Sequence, residues 1–305
     1  MNWILLALLA HGFNAIVFVV DKGLLVGSSV VASPLRYTFF SALLAGVAIV
    51  ALPFGYQPLT NFIVIWSVIA GLLHIGALWM FFSALSHGEP SRVVPLTGST
   101  VALSTLLLAT MFLGEVFSFW QAMGVLLFLL GGIFLSIQIK RSYTFSFRLA
   151  YQILLAGVLF ASSFASVKYL YDGSDTFLAT FVYSRVIESL CALVFLGPFL
   201  MGVQSVKSSA RVSMAMLFSW SSLVFVGNKA LAASAFALQN YAIALGSVAV
   251  VNALQGFQYV FLLLLAWGVS HFSPRFFKEE FSRVSLVQKI LGVVSVGIGL
   301  LLFSV

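Results

Sequence analysis

The sequence predicts an all-α polytopic membrane protein with ten transmembrane helices, arranged as two inverted five-helix repeats. Three observations predict it. Hydrophobic residues make up 62% of the 305 and charged ones only 8%, with a mean hydropathy of +1.13, whereas a soluble domain carries about 25% charged residues. Apolar stretches approaching or exceeding the roughly 20 residues that cross a bilayer recur along the whole chain. Features of the first half have counterparts, in the same order, in the second.

The first half contributes segments at 3–20, 30–52, 62–86, 92–112 and 119–138. The opening MNWILLALLAHGFNAIVFVV has no basic n-region and no A-x-A cleavage site, so it reads as a retained first helix. Glycine, proline and serine mark many of the breaks, as in PFGYQP (53–58) and YDGSD (171–175). The second half contributes segments at 150–170, 175–198, 212–245, 248–270 and 285–304. The eighth is too long for one straight span, and Gly227-Asn228 in its middle marks a candidate bend or break.

The halves read as copies. The fifth segment opens SFWQAMGV at Ser118 and the tenth opens SLVQKILGV at Ser285. Each carries Ser-x-x-Gln, a capping-box pattern that satisfies orphan amides at a helix start. With a one-residue gap, Gly124, Val125, Gly131 and Ser136 match Gly292, Val293, Gly299 and Ser304. Lys22 and Arg36 correspond to Lys168 and Arg185, and WMFFSALS (79–86) resembles QNYAIALG (239–246). The domain boundaries follow: a first repeat over 1–140, a basic cytoplasmic linker over 141–149, and a second repeat over 150–305. Five is odd, so the second copy enters the membrane upside down. Inverted repeats of this kind build secondary transporters, with the solute site at the midplane between them.

Net charge is +7, but no long basic run offers a nucleic-acid surface. The basic residues lie in short gaps: Lys22, Arg92, Lys140, Arg141, Arg148, Lys207, Arg211, Arg275, Lys278 and Arg283 all follow odd-numbered segments. The positive-inside rule makes that face cytoplasmic and places both termini outside. A multi-pass protein of a bacterial inner or plasma membrane is expected. Within 273–285, Phe277, Phe281 and Val284 share a helical face after Ser273-Pro274, which reads either as an interfacial helix or as a polar loop. Cys191 is the only cysteine, so neither an intrachain disulfide nor a cysteine-rich metal site is expected.

The stretch from Ala84 to Gly132 carries Ala84-Leu85 at a helix end, Pro95 in the fourth segment, Leu113-Gly114-Glu115 at a turn, and Gln121 with Gly124 opening the fifth. With this stretch as its most specific part, essentially the whole chain resembles the EamA-type proteins of the drug/metabolite transporter superfamily. Lys22 and Arg36 resemble the family's lysine after the first helix and arginine in the second. The second half departs from the pattern, reading VSHFSPR where Leu-Gly-Glu would fall. The resemblance implies a ten-helix carrier that moves small organic solutes by alternating access, often outward. Glu115 itself is expected at a membrane boundary, near the positive end of the fifth helix dipole.

Ionisable residues deep in a span usually face a partner or a cavity. Lys229 lies about 15 Å from either end of the eighth segment at 1.5 Å per residue, beyond the reach of snorkelling. It reads as a solute-binding or coupling residue, or as a structural partner of Glu188. His74, central in the third segment, reads as a packing histidine or, if functional, as a carrier of coupling protons. Arg185 and Glu188, three apart, can pair on one face, and Lys229 then leaves one cation in excess. That excess suggests a solute bearing a carboxylate or phosphate. Asn252, Gln255, Gln258 and Tyr259 form one stripe on the ninth segment. With Trp79, Ser99, Gln239, Asn240 and Tyr241 they are candidates for the wall of a solute cavity.

Rival readings are weighed on the same residues. H-E-x-x-H, G-x-S-x-G and P-loop patterns are absent from the sequence, so an integral membrane enzyme is disfavoured and no cofactor or metal is expected. A flippase for a lipid-linked substrate remains the nearer alternative.

Overall fold

A computed structural model describes residues 2–27, 33–88, 90–136, 147–204, 220–272 and 283–303. The described residues are helical apart from short turns, with no strand among them. The first half holds α1 (Asn2–Gly27), α2 (Pro34–Ala45), α3 (Asn61–His87), α4 (Pro90–Phe112) and α5 (Phe119–Ser136). The second holds α6 (Phe147–Asp172), α7 (Phe177–Gln204), α8 (Trp220–Leu245), α9 (Val248–Ala253), α10 (Gln255–Phe272) and α11 (Arg283–Phe303). Among the described residues, seven helical stretches are long and apolar enough to cross a membrane, and three shorter apolar ones coincide with the fifth, ninth and tenth predicted segments. The chain is a multi-pass membrane protein.

Local chemistry explains the boundaries. Pro34 opens α2, where its missing N–H is no loss. The helix then tightens into a 3-10 turn over Gly46–Phe54. Thr60 caps α3 by accepting from the Ile63 amide (3.3 Å). The capping box at α5 forms as its spacing predicts: the Gln121 amide donates to Ser118 Oγ (3.2 Å), and the Ser118 amide donates to Gln121 Oε1 (3.0 Å). Gly114, at φ +67°, makes the turn between α4 and α5, a left-handed conformation in which a Cβ would be strained.

Four expectations are corrected. The first helix runs to Gly27, so Asp21 and Lys22 lie inside it, not in a following loop. The eighth helix passes unbroken through Gly227-Asn228; its predicted stretch 212–219 lies outside the described residues. The interruption falls instead in the ninth segment, at Leu254, where the Phe257 amide bonds back to the Leu254 carbonyl (3.0 Å) as a tightened turn. Ser285 stands inside α11, which already includes Arg283, so it cannot be that helix's start cap. Most of 273–285 lies outside the described residues, as do Lys140, Arg141, Lys207, Arg211, Arg275 and Lys278, with most of the 141–149 linker.

The two halves interlock. The most extensive helix pairings, α3 with α6, α5 with α11 and α1 with α8, each join one half to the other. At further contacts between the halves, small residues let backbones approach, as membrane packing requires where no hydrophobic force drives helices together. A Cβ on Gly71 of α3 would press on the Glu188 backbone of α7, and one on Gly157 of α6 would press on Thr100 of α4. The apolar core between the halves is filled by Tyr37, Phe81, Phe82, Leu85 and Leu262, among others.

Candidate functional site

Two buried charged clusters sit in this interface. In the first, α1 brings Asp21 and α8 brings Asn228 and Lys229. Asp21 Oδ1 accepts from Lys229 Nζ (2.9 Å), from Asn228 Nδ2 (2.6 Å) and from the hydroxyl of Tyr37 on α2. Asp21 is 1% exposed. The Lys229 ammonium also lies over the rings of Tyr37 (4.4 Å), Phe82 (5.1 Å) and Phe225 (5.6 Å). Each distance is within cation–π range. The partner of Lys229 is thus Asp21, not Glu188.

In the second cluster, α7 carries Arg185 and Glu188 on one face, and they pair as their spacing predicts. His74 of α3 reaches across from the other half, its Nδ1 2.6 Å from Glu188 Oε1. The Arg185 guanidinium lies 4.5 Å above the ring of Phe236 on α8, and that ring also packs against His74 at 5.0 Å. Seven residues separate Lys229 from Phe236, two helical turns, so one face of α8 touches both clusters. A run of aromatic contacts through Phe82, Phe81 and Phe160 connects them.

Asp21 changes the charge count. Two carboxylates now face Lys229 and Arg185, so the excess cation vanishes, and with it the argument for an anionic solute.

The amide stripe gathers at the α9–α10 interruption. Gln239 donates to Asn252 Oδ1 (3.1 Å). His11 of α1 donates through Nε2 to the Val251 carbonyl (2.9 Å), and its Nδ1 faces the Gln258 amide at 3.3 Å. The Gln258 atom nearest Nδ1 is Oε1, while Gln258 Nε2 is buried without a hydrogen-bond partner. Gln255 and Tyr259 pack on Gly98 of α4, where a Cβ would collide with both. Ser99 Oγ, Thr97 Oγ1 and Asn252 Nδ2 are buried without hydrogen-bond partners, which leaves polar capacity in this region. Asn240 accepts from the Tyr171 hydroxyl (2.9 Å), and Tyr241 packs on Phe177.

Trp79 does not join this set. It is 41% exposed and falls on the α3 face of Ile65, Ile69 and Leu72, all exposed. That apolar outer face suits lipid rather than a solute.

The turn and terminus residues have structural partners. Lys22 donates to the carbonyls of Leu85 (2.8 Å), Ser86 (3.3 Å) and Gly88 (2.9 Å), so it caps the negative end of α3. Glu115 accepts from the Ser247 hydroxyl and from the Val248 amide (3.3 Å). Its helix terminus is therefore that of α9 in the opposite half, not that of α5. Arg36 sits half-buried in the first turn of α2. Sequence reasoning missed Asp21, Tyr37, Asn228 and His11. The available signal was the apolar run GLLVG continuing beyond Asp21-Lys22, which marks the pair as intrahelical.

Comparison with known proteins fits this geometry. A crystal structure of a protein sharing 17% sequence identity superposes with a TM-score of 0.58, covering 99% of this chain and 96% of that one. It shows that the whole chain follows an existing fold. Comparison with curated proteins returned no match. The sequence profile of the EamA-like transporter family matches residues 1–137. That family points to a membrane transporter of small solutes. The family whose profile residues 1–137 match belongs to the drug/metabolite transporter superfamily.

Proposed function

We propose that the protein is a secondary transporter that exports a small organic metabolite by alternating access. Its two inverted repeats, 1–140 and 150–305, would rock against each other around a midplane solute site. One observation carries the reading: each buried charged cluster takes a member from both halves, Asp21 with Lys229 and His74 with Glu188. Charged pairs spanning the surface that must open are where a solute or ion can bias the two states. The helix pairings support the repeat. α1 with α8 and α6 with α3 exchange under the predicted duplication, and both pairings are extensive.

The face of α8 that bears Lys229 and Gln239, with His74, Asn252, Gln255, Gln258 and Tyr259, would line the route. Ser99 would add a hydroxyl from α4. The basic loops orient the chain with both termini outside a bacterial inner membrane.

The test is counterflow of labelled metabolites in proteoliposomes. Wild-type protein should exchange at least one solute. The neutral double variant Asp21→Asn/Lys229→Met should fold and exchange none, and wild-type exchange by that variant would remove the cluster from the mechanism.

A further inference from the structure

We propose that the solute is a protonated primary or secondary amine that displaces Lys229 from Asp21. The inference rests on the transporter reading and names the solute class of that site. The walls around Lys229 are those of an amine receptor. Three aromatic rings face its ammonium at 4.4–5.6 Å, and a carboxylate oxygen accepts from it at 2.9 Å. The faces of these rings are negative, so they repel an anion approaching Lys229 and attract a cation replacing it. Lys229 is the occupant that the chain itself supplies.

The hydrogen bonds narrow the class. Asp21 Oδ1 is the meeting point of three donors, from Lys229, Asn228 and Tyr37. A ligand that removes the lysine must return an N–H donor to that oxygen, or the buried carboxylate loses a charge-assisted hydrogen bond. A quaternary ammonium has none to return. Asn228 Oδ1, 6% exposed as a residue, is buried without a hydrogen-bond partner, and it offers a second acceptor to an ammonium with more than one N–H.

Charge balance sets the exchange. The groups that Lys229 meets are Asp21 of α1, Tyr37 of α2, Phe82 of α3 and Phe225 of α8, with Asn228 on the same carboxylate oxygen. Lys22, beside Asp21, turns its ammonium to the α3 carbonyls. A cationic amine entering this neutral set would leave two cations on one carboxylate, which a membrane interior does not tolerate. The displaced Lys229 therefore gives up one Nζ proton to water and keeps the electron pair as a neutral amine. One ammonium enters, one proton leaves, and the site stays neutral.

The experiment titrates the purified full chain, in weakly buffered detergent with a pH indicator, using n-butylammonium, tetramethylammonium and butyrate. Butylammonium should raise the melting temperature and release one proton per ligand bound, while the other two do neither. The Asp21→Asn/Lys229→Met variant should lose both responses. Stabilisation by butyrate, equal stabilisation by tetramethylammonium, or butylammonium binding without proton release would each overturn the proposal. A protein that supports counterflow of some solute yet fails this titration remains a transporter and loses only the amine.

Discussion

The two charged clusters hold similar groups in different ways. Arg185 and Glu188 belong to one helix, so their pairing needs only the turn of α7, and His74 adds a second partner. Asp21 and Lys229 come from opposite halves of the chain, and their bond exists only while α1 and α8 are docked. Any movement between the halves would break the second arrangement, whereas in the first it would break only the His74 contact and leave the Arg185–Glu188 pair intact. The difference teaches that a locally neutralised carboxylate can act as a fixed anchor, whereas a carboxylate neutralised across an interface is a switchable contact.

The sharpest break in that comparison is removal of a single partner. Lys229→Met strands Asp21 without a cation and should cost about 3–5 kcal/mol of stability, read as a large fall in melting temperature. Adding Asp21→Asn should restore most of it, because the double variant leaves no uncompensated charge. If the double variant melts as low as the single one, the stability lies in packing and not in the pair.

A smaller effect is expected at the other cluster. Arg185→Met leaves Glu188 in contact with His74. The cost should be about 1–3 kcal/mol, read as a smaller fall in melting temperature. A loss equal to that of Lys229→Met would erase the distinction between the clusters.

The smallest change sharpens the role of the rings. Phe225→Leu and Phe236→Leu keep apolar bulk and remove one π-face from Lys229 and Arg185 respectively, each costing about 1 kcal/mol. Paired with melting curves in butylammonium, Phe225→Leu should weaken the ligand response and Phe236→Leu should not.

Much of this architecture is legible in the residues. Composition and segment length are enough for a multi-pass helical membrane protein. The Leu113-Gly114-Glu115 turn and the Ser118–Gln121 box mark the family resemblance and the start of α5, because turn and cap chemistry act over a few residues. The Arg185–Glu188 pair is legible for the same reason, since three residues on a helix share a face. Trp79 looks like a wall residue only until α3 is docked, because a helix does not announce which side meets lipid. The partners of Lys229, Lys22 and Glu115 lie 208, 63 and 132 residues away. Nothing local points from one to the other. Hydrophobic patterning and turn geometry are short-range properties carried by the chain itself, whereas the matching of buried charges, the break at Leu254 held by His11, and the aromatic box around Lys229 exist only once two interlocked halves exclude water between them.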